Sequence, residues 1–244
     1  MKNTYFIFSR EFSGYFKTPV AYIFLIIYLL LIGFFTFYFG DFFTREQADL
    51  QPFFQFHPWM YIFLIPAISM RLWSEERKSG TIELLLTLPI TMWQAVLGKF
   101  LAAWAFTTIA TILTFPIWIT VNYLGNPDNG VILTAYIGSI LMAGSFIAIG
   151  SCISAITKNQ VIAFVVSLSV SLILVLAGFP MVQNLFIGWM PSFIVDAISY
   201  TGFLTHYQSI SKGVIDLRDP LFFISTTAAW LFANTIVIDS RKAV

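Results

Sequence analysis

Charge is what this chain has least of. Only 10% of its 244 residues are Asp, Glu, Lys or Arg, where a soluble globular domain carries about 25%. With a formal net charge of +1, it has no basic field to hold nucleic acid. There is one cysteine, Cys152, so no intrachain disulfide can form; it sits in an apolar stretch and reads as a small packing residue. The two histidines, His57 and His206, lie far apart, without Cys or Glu at ligand spacing, so no zinc site is expected. His57, beside Pro58 and Trp59, reads as an interfacial anchor, and His206 as a surface or packing residue. The patterns G-x-x-x-x-G-K-[ST], H-E-x-x-H and G-x-S-x-G are all missing. The chain therefore carries no ATPase, metalloprotease or serine-hydrolase signature, and neither an enzymatic activity nor a metal or cofactor of its own is expected.

What is present is apolar. Hydrophobic residues make up 58% of the chain, Phe alone accounts for 27, and the mean hydropathy is +0.83. The fold class is all-α integral membrane, because an open sheet edge is not tolerated in lipid. The run 20–39 is uncharged and holds fourteen Val, Leu, Ile or Phe residues. At about −0.3 kcal/mol each these favour insertion by roughly 4 kcal/mol. The run is too long for a signal peptide, and no small-x-small cleavage site follows it. Further spans are expected at 53–70, with Pro66 as a kink, and at 100–121, 132–157, 161–182 and 221–238. The fourth and fifth are joined by so few residues that they form a tight hairpin.

With the N-terminus inside, Lys and Arg divide ten to three between cytoplasmic and outer segments, which places both termini in the cytoplasm and fits six crossings. No internal repeat or long linker appears, so one membrane domain covers 1–244. The spans so drawn contain no Asp, Glu, Lys or Arg. Ion-coupled transporters usually place such groups near the midplane, so the energy for any transport should come from another chain.

The cytoplasmic loop between the second and third spans is the most informative segment. A charged cluster, Glu75, Glu76, Arg77 and Lys78, ends the second span. Gly80 permits a sharp turn, Thr81 is a good N-cap, and Glu83 suits the first turn of a helix. Ile82, Leu84, Leu85, Leu86 and Leu88 make the helix apolar on more than one side, and Pro89 ends it. A greasy helix in an aqueous loop needs a cover: either a cytoplasmic partner or the bilayer surface.

The run Glu76-Arg-Lys-Ser-Gly-Thr-Ile-Glu-Leu-Leu-Leu-Thr-Leu-Pro-Ile, followed by Gly98-Lys99, resembles the coupling-helix signature of the type-2 ABC transporter permeases. The segment His206-Tyr-Gln-Ser-Ile-Ser-Lys-Gly-Val-Ile-Asp-Leu-Arg-Asp219 resembles what precedes the last helix in the subgroup containing the gliding-motility permease GldF and the permease NosY. The hydrophobic layout agrees from end to end. The resemblance implies a six-helix exporter permease in a bacterial inner membrane, paired with itself or a similar chain. Two cytoplasmic ABC ATPase subunits, which bring the ATP and Mg, would each receive the helix 79–89. It implies ATPase-coupling roles for Glu75, Glu76, Arg77, Lys78, Gly80, Thr81, Ile82, Glu83, Leu85, Leu86 and Pro89. An accessory subunit with an extracytoplasmic domain is compatible with it. So is a mechanical transmitter that drives an outer partner without moving solute.

Residues 3–17 carry Tyr5, Phe8, Phe12, Tyr15 and Phe16 at spacings of three and four, which predicts an amphipathic helix in the membrane interface, an elbow in the family. In the fourth span Gly144, Ala148 and Cys152 stand four apart, with Ser151 and Ala155 beside them; in the fifth lie Ser167 and Ser171. These are expected either to pack helices closely or to line a cargo path. The segment 183–219 is expected to lie outside or dip back as short helices. The resemblance marks Tyr207, Gly213, Asp216, Arg218 and Asp219 there as an extracytoplasmic gate.

Overall fold

The computed structural model describes residues 2–83, 89–186, 191–214 and 216–240, and every described element is a helix. The first, α1 (Lys2–Phe16), is the amphipathic segment. A one-turn break at Lys17 and Thr18 leads to α2 (Pro19–Phe34), opened by a proline at its first position, where a missing N–H costs nothing. It runs on through a π-helical turn, Phe35–Phe39. After a loop over 40–50 come α3 (Gln51–Ser69) and α4 (Arg71–Ser79), then α5 (Met92–Ile112) and α6 (Phe115–Leu124). The capping box of Thr91 and Gln94 opens α5, and Pro116 sits just beyond the break between α5 and α6. Next are α7 (Asn129–Ile156), capped by Asp128, and α8 (Gln160–Ala177), capped by Asn159. Three short helices, α9 (Pro180–Phe186), α10 (Ser192–Thr201) and α11 (Phe203–Ser211), precede the last, α12 (Arg218–Ser240).

Among the described residues, five helical stretches are long and apolar enough to cross a membrane: Pro19–Phe39, Met92–Leu124, Asn129–Ile156, Gln160–Ala177 and Arg218–Ser240. Each overlaps an expected span, but the expected 161–182 runs five residues too far, because the helix stops at Ala177 with Gly178 as its C-cap. The remaining expectation, 53–70, falls on α3, whose first two turns carry Gln51, Gln55 and His57. Most of α3 is buried in the bundle. His57 is not an interfacial anchor but fully buried. Its Nδ1 donates to the Phe53 carbonyl at 3.0 Å, which leaves Nε2 to accept from the Tyr28 hydroxyl at 3.3 Å.

The centre of the bundle is α7, on which α12, α3, α5, α8, α11 and α4 all pack. Every residue from 142 to 155 is buried. The sequence makes this possible with small side chains (Ala143, Gly144, Ser145, Ala148, Gly150, Ser151, Ser154 and Ala155), which let helix axes approach closely. At Gly150 a Cβ would fall 1.9 Å from Ser69 Oγ of α3, and at Gly144 it would fall 3.2 Å from Trp104 Nε1 of α5. By contrast α2 fully buries only the stripe Ala21, Leu25, Tyr28 and Ile32, flanked by half-buried Phe24, Leu29 and Leu31, while Ile23, Ile26, Ile27 and Leu30 are exposed, as suits lipid.

The face of α1 differs in detail from the expected one. Tyr5 is 66% exposed, whereas Ile7 is buried. The reason is Gly98: Ile7 Cγ2 lies 2.7 Å from where a Cβ would stand there, so α1 docks edge-on against α5. Farther along, Tyr15 stacks on Phe106 at 4.9 Å.

Candidate functional site: the anchored helix α4

The charged cluster expected at the end of the second span forms α4, separated from α3 by Met70. The backbone N–H groups of Trp73 and Ser74 both donate to Ser154 Oγ of α7, at 3.1 and 3.0 Å. The same hydroxyl donates to the Met70 carbonyl at 2.7 Å. One serine thus satisfies three backbone groups at the break, each of which would be costly to leave buried and unpaired.

The Trp73 side chain is fully buried. Its Nε1 donates to Ser151 Oγ at 3.1 Å, and Asn234 Nδ2 of α12 donates to the same oxygen at 2.8 Å. Arg77 donates to the Ala155 carbonyl. So α4 is tied to three successive polar groups on α7, and through Ser151 to α12.

An ionic contact completes the anchor. Lys99 of α5 has a side chain only 3% exposed, with Nζ 2.8 Å from Glu76 Oε1 and 3.3 Å from Glu11 Oε1 of α1. It also lies 5.2 Å from the Trp73 ring, within reach of a cation–π attraction. Arg10 pairs with Glu11 at 2.6 Å and approaches Glu76 at 3.7 Å. Burial alone would raise the Glu11 pKa, but Lys99 and Arg10 together outweigh it and hold the carboxyl below its ordinary 4.5. A buried cation is tolerated only when paired. Lys99 belongs to the second turn of α5, and this pairing is why a helix otherwise fit for lipid can carry it.

Beyond Ser79 the chain turns on Gly80, whose φ of +74° is the left-handed conformation glycine adopts without strain. Residues 81–83 are helical. The cap stands one residue earlier than expected: Gly80 carbonyl accepts from Glu83 N at 3.3 Å, and Thr81 Oγ1 lies 2.9 Å from Ser79 Oγ. Lys78, Thr81, Glu83 and Pro89 are exposed, and Ile82 is half-buried. Leu85 and Leu86, with the rest of 84–88, lie outside the described residues. Pro89 accepts from Asn3 Nδ2 at 3.4 Å, so the segment returns to the bundle against α1.

The other expected residues lie elsewhere. Gly144, Ala148 and Cys152 are on the buried face of α7. Ser167 and Ser171 of α8 are buried, and their hydroxyls lack a hydrogen-bond partner among the described residues. On the far side of the bundle Tyr207 is buried, its hydroxyl donating to the Phe54 carbonyl at 3.0 Å and lying 2.9 Å from Ser139 Oγ. Phe54 needs that donor because the residue four positions on is Pro58, which has no N–H. Asp219 is buried too, with Oδ1 2.7 Å from His206 Nδ1; His206 Nε2 lies 2.9 Å from the Tyr200 carbonyl. Asp216 caps Arg218 N at 3.0 Å, and both side chains are exposed. Gly213 has φ +81°, and a Cβ there would fall 2.7 Å from Val131 Cγ2. The structure therefore brings Tyr207 and Asp219 into the packed far end, with Asp216 and Arg218 at its surface.

Sequence reading missed Trp73, Ser154 and Asn234, and used Lys99 only for orientation and as part of a motif. A tryptophan and a serine among apolar neighbours carry no pattern that joins them. The lone lysine just after Gly98 was a signal that could have been followed.

No curated protein matches the chain. The profile of the family described as "ABC-2 family transporter protein" matches residues 7–237, which is nearly the whole length and includes both the anchored helix and the far end of the bundle. The chain belongs to the ABC-2 transporter family.

Proposed function

We propose that this chain is the membrane-spanning permease subunit of an ATP-driven exporter, and that α4 carries motion between a separate ATPase and the bundle. The observation that supports this is the anchoring of α4. At one end it is pinned by hydrogen bonds and ion pairs to α1, α5 and α7, and through Ser151 to α12. At the other it passes through Gly80 into the segment 81–89. A displacement applied to that segment meets a rigid, polar-bonded lever rather than a soft loop. Two ATPase subunits would each receive one helix 79–89 in a surface groove, and their closure on ATP would bias a pair of permease chains between two arrangements. The reading includes six crossings, with α3 as the sixth, both termini in the cytoplasm and an inner-membrane location. Glu76 and Arg77 hold the lever; Glu75 and Lys78 lie on its exposed face, and with Gly80, Thr81, Ile82, Glu83, Leu85, Leu86 and Pro89 they form the piece the ATPase grips. Tyr207, Gly213, Asp216, Arg218 and Asp219 would close the outer end.

The test is affinity purification of the chain from its native membrane in mild detergent, with the copurified proteins identified by mass. A stoichiometric ATPase with a phosphate loop, lost when residues 79–89 are scrambled, supports the reading; its absence from the wild-type preparation overturns it. In the reconstituted complex, Gly80→Val forces a β-branched residue into a left-handed backbone at a cost of about 1–2 kcal/mol, and Glu83→Lys reverses a charge on the exposed segment. Both should uncouple hydrolysis from transport while the chain still inserts. ATP hydrolysis stimulated by the permease with no solute moved would instead assign mechanical transmission.

A further inference from the structure

A cavity of about 170 Å³ lies between α1, α2, α3, α4 and α5. That is far above the roughly 10–15 Å³ a single water needs. Its apolar lining is Val20, Ala21 and Phe24 of α2, Ile68 of α3 and Phe106 of α5; its charged lining is Arg71 and Glu75 of α4, with Glu11 of α1. The lining thus joins an apolar wall to a charged one. A detached ion would gain nothing from the apolar wall. The combination fits an amphiphile.

Gly14 of α1 also lines this cavity. A glycine inside a helix is destabilising by roughly 0.5–1 kcal/mol relative to alanine, and this one is not called for by close approach: a Cβ there would meet nothing within 4 Å. Nor does it have the positive φ of Gly80 and Gly213. What the missing side chain leaves open is the cavity itself.

The charged lining narrows the headgroup. Arg71 Nε and Glu75 Oε2 pair at 3.2 Å, with side chains 38% and 53% exposed. An exposed pair of this kind contributes only about 0–1 kcal/mol, so it opens readily. A phosphate followed by an ammonium would replace it with two charge-assisted contacts, Arg71 to phosphate and Glu75 to ammonium. An anionic headgroup without an ammonium would leave Glu75 and Glu11 facing its phosphate.

We infer that this cavity holds one phospholipid with an amine headgroup, its phosphate on Arg71, its ammonium on Glu75 and the start of a chain against Phe24 and Phe106. The inference rests on the chain being a membrane protein with α1 at the interface, not on its coupling to an ATPase, and its readout is lipid retention. Because both headgroup partners belong to α4, an occupied cavity would brace the same lever.

The experiment is native mass spectrometry of the full chain, delipidated in detergent and titrated with phosphatidylethanolamine or with phosphatidylglycerol of identical acyl chains. Phosphatidylethanolamine should be retained about tenfold better, as the loss of one charge-assisted hydrogen bond implies. Gly14→Phe should abolish its adduct, whereas Gly14→Ala, which fills little of the space, should retain it. Glu75→Gln, which leaves the apolar wall intact, should erase the preference between the two lipids. Equal retention of both lipids by the wild-type chain, retention of neither, or an undiminished phosphatidylethanolamine adduct in Gly14→Phe would overturn the inference.

Discussion

The two ends of the bundle bury polar groups in different ways. At the α4 end, one lysine sits between two carboxylates, and a tryptophan and three serine or asparagine side chains join α4, α7 and α12. At the far end, single contacts take the place of a network: Tyr207 mends the gap left by Pro58, and His206 bridges Asp219 and Tyr200. The first arrangement concentrates long-range charge on one short helix; the second distributes single contacts over α3, α7, α10, α11 and α12. A network of charged and polar contacts holds its elements as a unit, whereas single contacts can break one at a time.

Four substitutions probe this contrast, read as thermal unfolding in detergent, where 1 kcal/mol corresponds to roughly 2–4 °C for a chain of this size. Lys99→Met should have the largest effect. It leaves Glu11 and Glu76 buried near each other with only Arg10 between, and a broken buried pair costs about 3–5 kcal/mol; with Arg10 remaining, about 3 kcal/mol is expected. A loss near zero would show that the ionic anchor does not hold α4. Tyr207→Phe comes next, at about 1–3 kcal/mol, because the Phe54 carbonyl is then buried without a donor. Should it equal or exceed Lys99→Met, the proposed ranking of the two ends is reversed.

The third effect is confined to acid. The folded pKa of Glu11 lies below its ordinary 4.5, so the carboxylate contributes stability that is full above that value and is lost as pH falls through the lowered one. Glu11→Gln should therefore flatten the decline of the unfolding midpoint below pH 4.5; an unchanged acid limb would separate Glu11 from the anchor. Smallest is Ser171→Ala. Its hydroxyl is buried without a partner among the described residues, so removal should change stability by less than about 0.5 kcal/mol or raise it slightly. A loss above 1 kcal/mol would mean the hydroxyl is tied to something, and the neutral outcome joined to a fall in flux would place Ser171 on a cargo path.

Much of the architecture was legible because the hydrophobic runs are long. Their ends were less so: the caps formed by Thr91 with Gln94, Asp128 and Asn159 went unread, and α5 begins eight residues before its expected span. The elbow helix was legible too, but its docked face was not, since Tyr5 shares the three- and four-residue spacing of the other aromatics and only the notch at Gly98 selects Ile7. His57 was misread as interfacial because proline and tryptophan neighbours resemble a boundary, whereas Tyr28 and the Phe53 carbonyl receive it in the core. The charged cluster 75–78 was visible as a cluster, yet which of its members reach inward was not.

The sequence by itself determined the solvent this chain lives in, the approximate place of each apolar helix, and the turn at Gly80, because transfer free energy and backbone sterics act over a few neighbouring residues. Only the tertiary structure decided that Lys99 meets both Glu11 and Glu76, that Ser154 supplies three backbone bonds at the break before α4, and that Tyr207 replaces the N–H missing at Pro58. Those contacts join residues between 23 and 153 positions apart in the chain. A buried polar group takes whatever partner helix packing brings within 3 Å, and no local pattern records which one that will be.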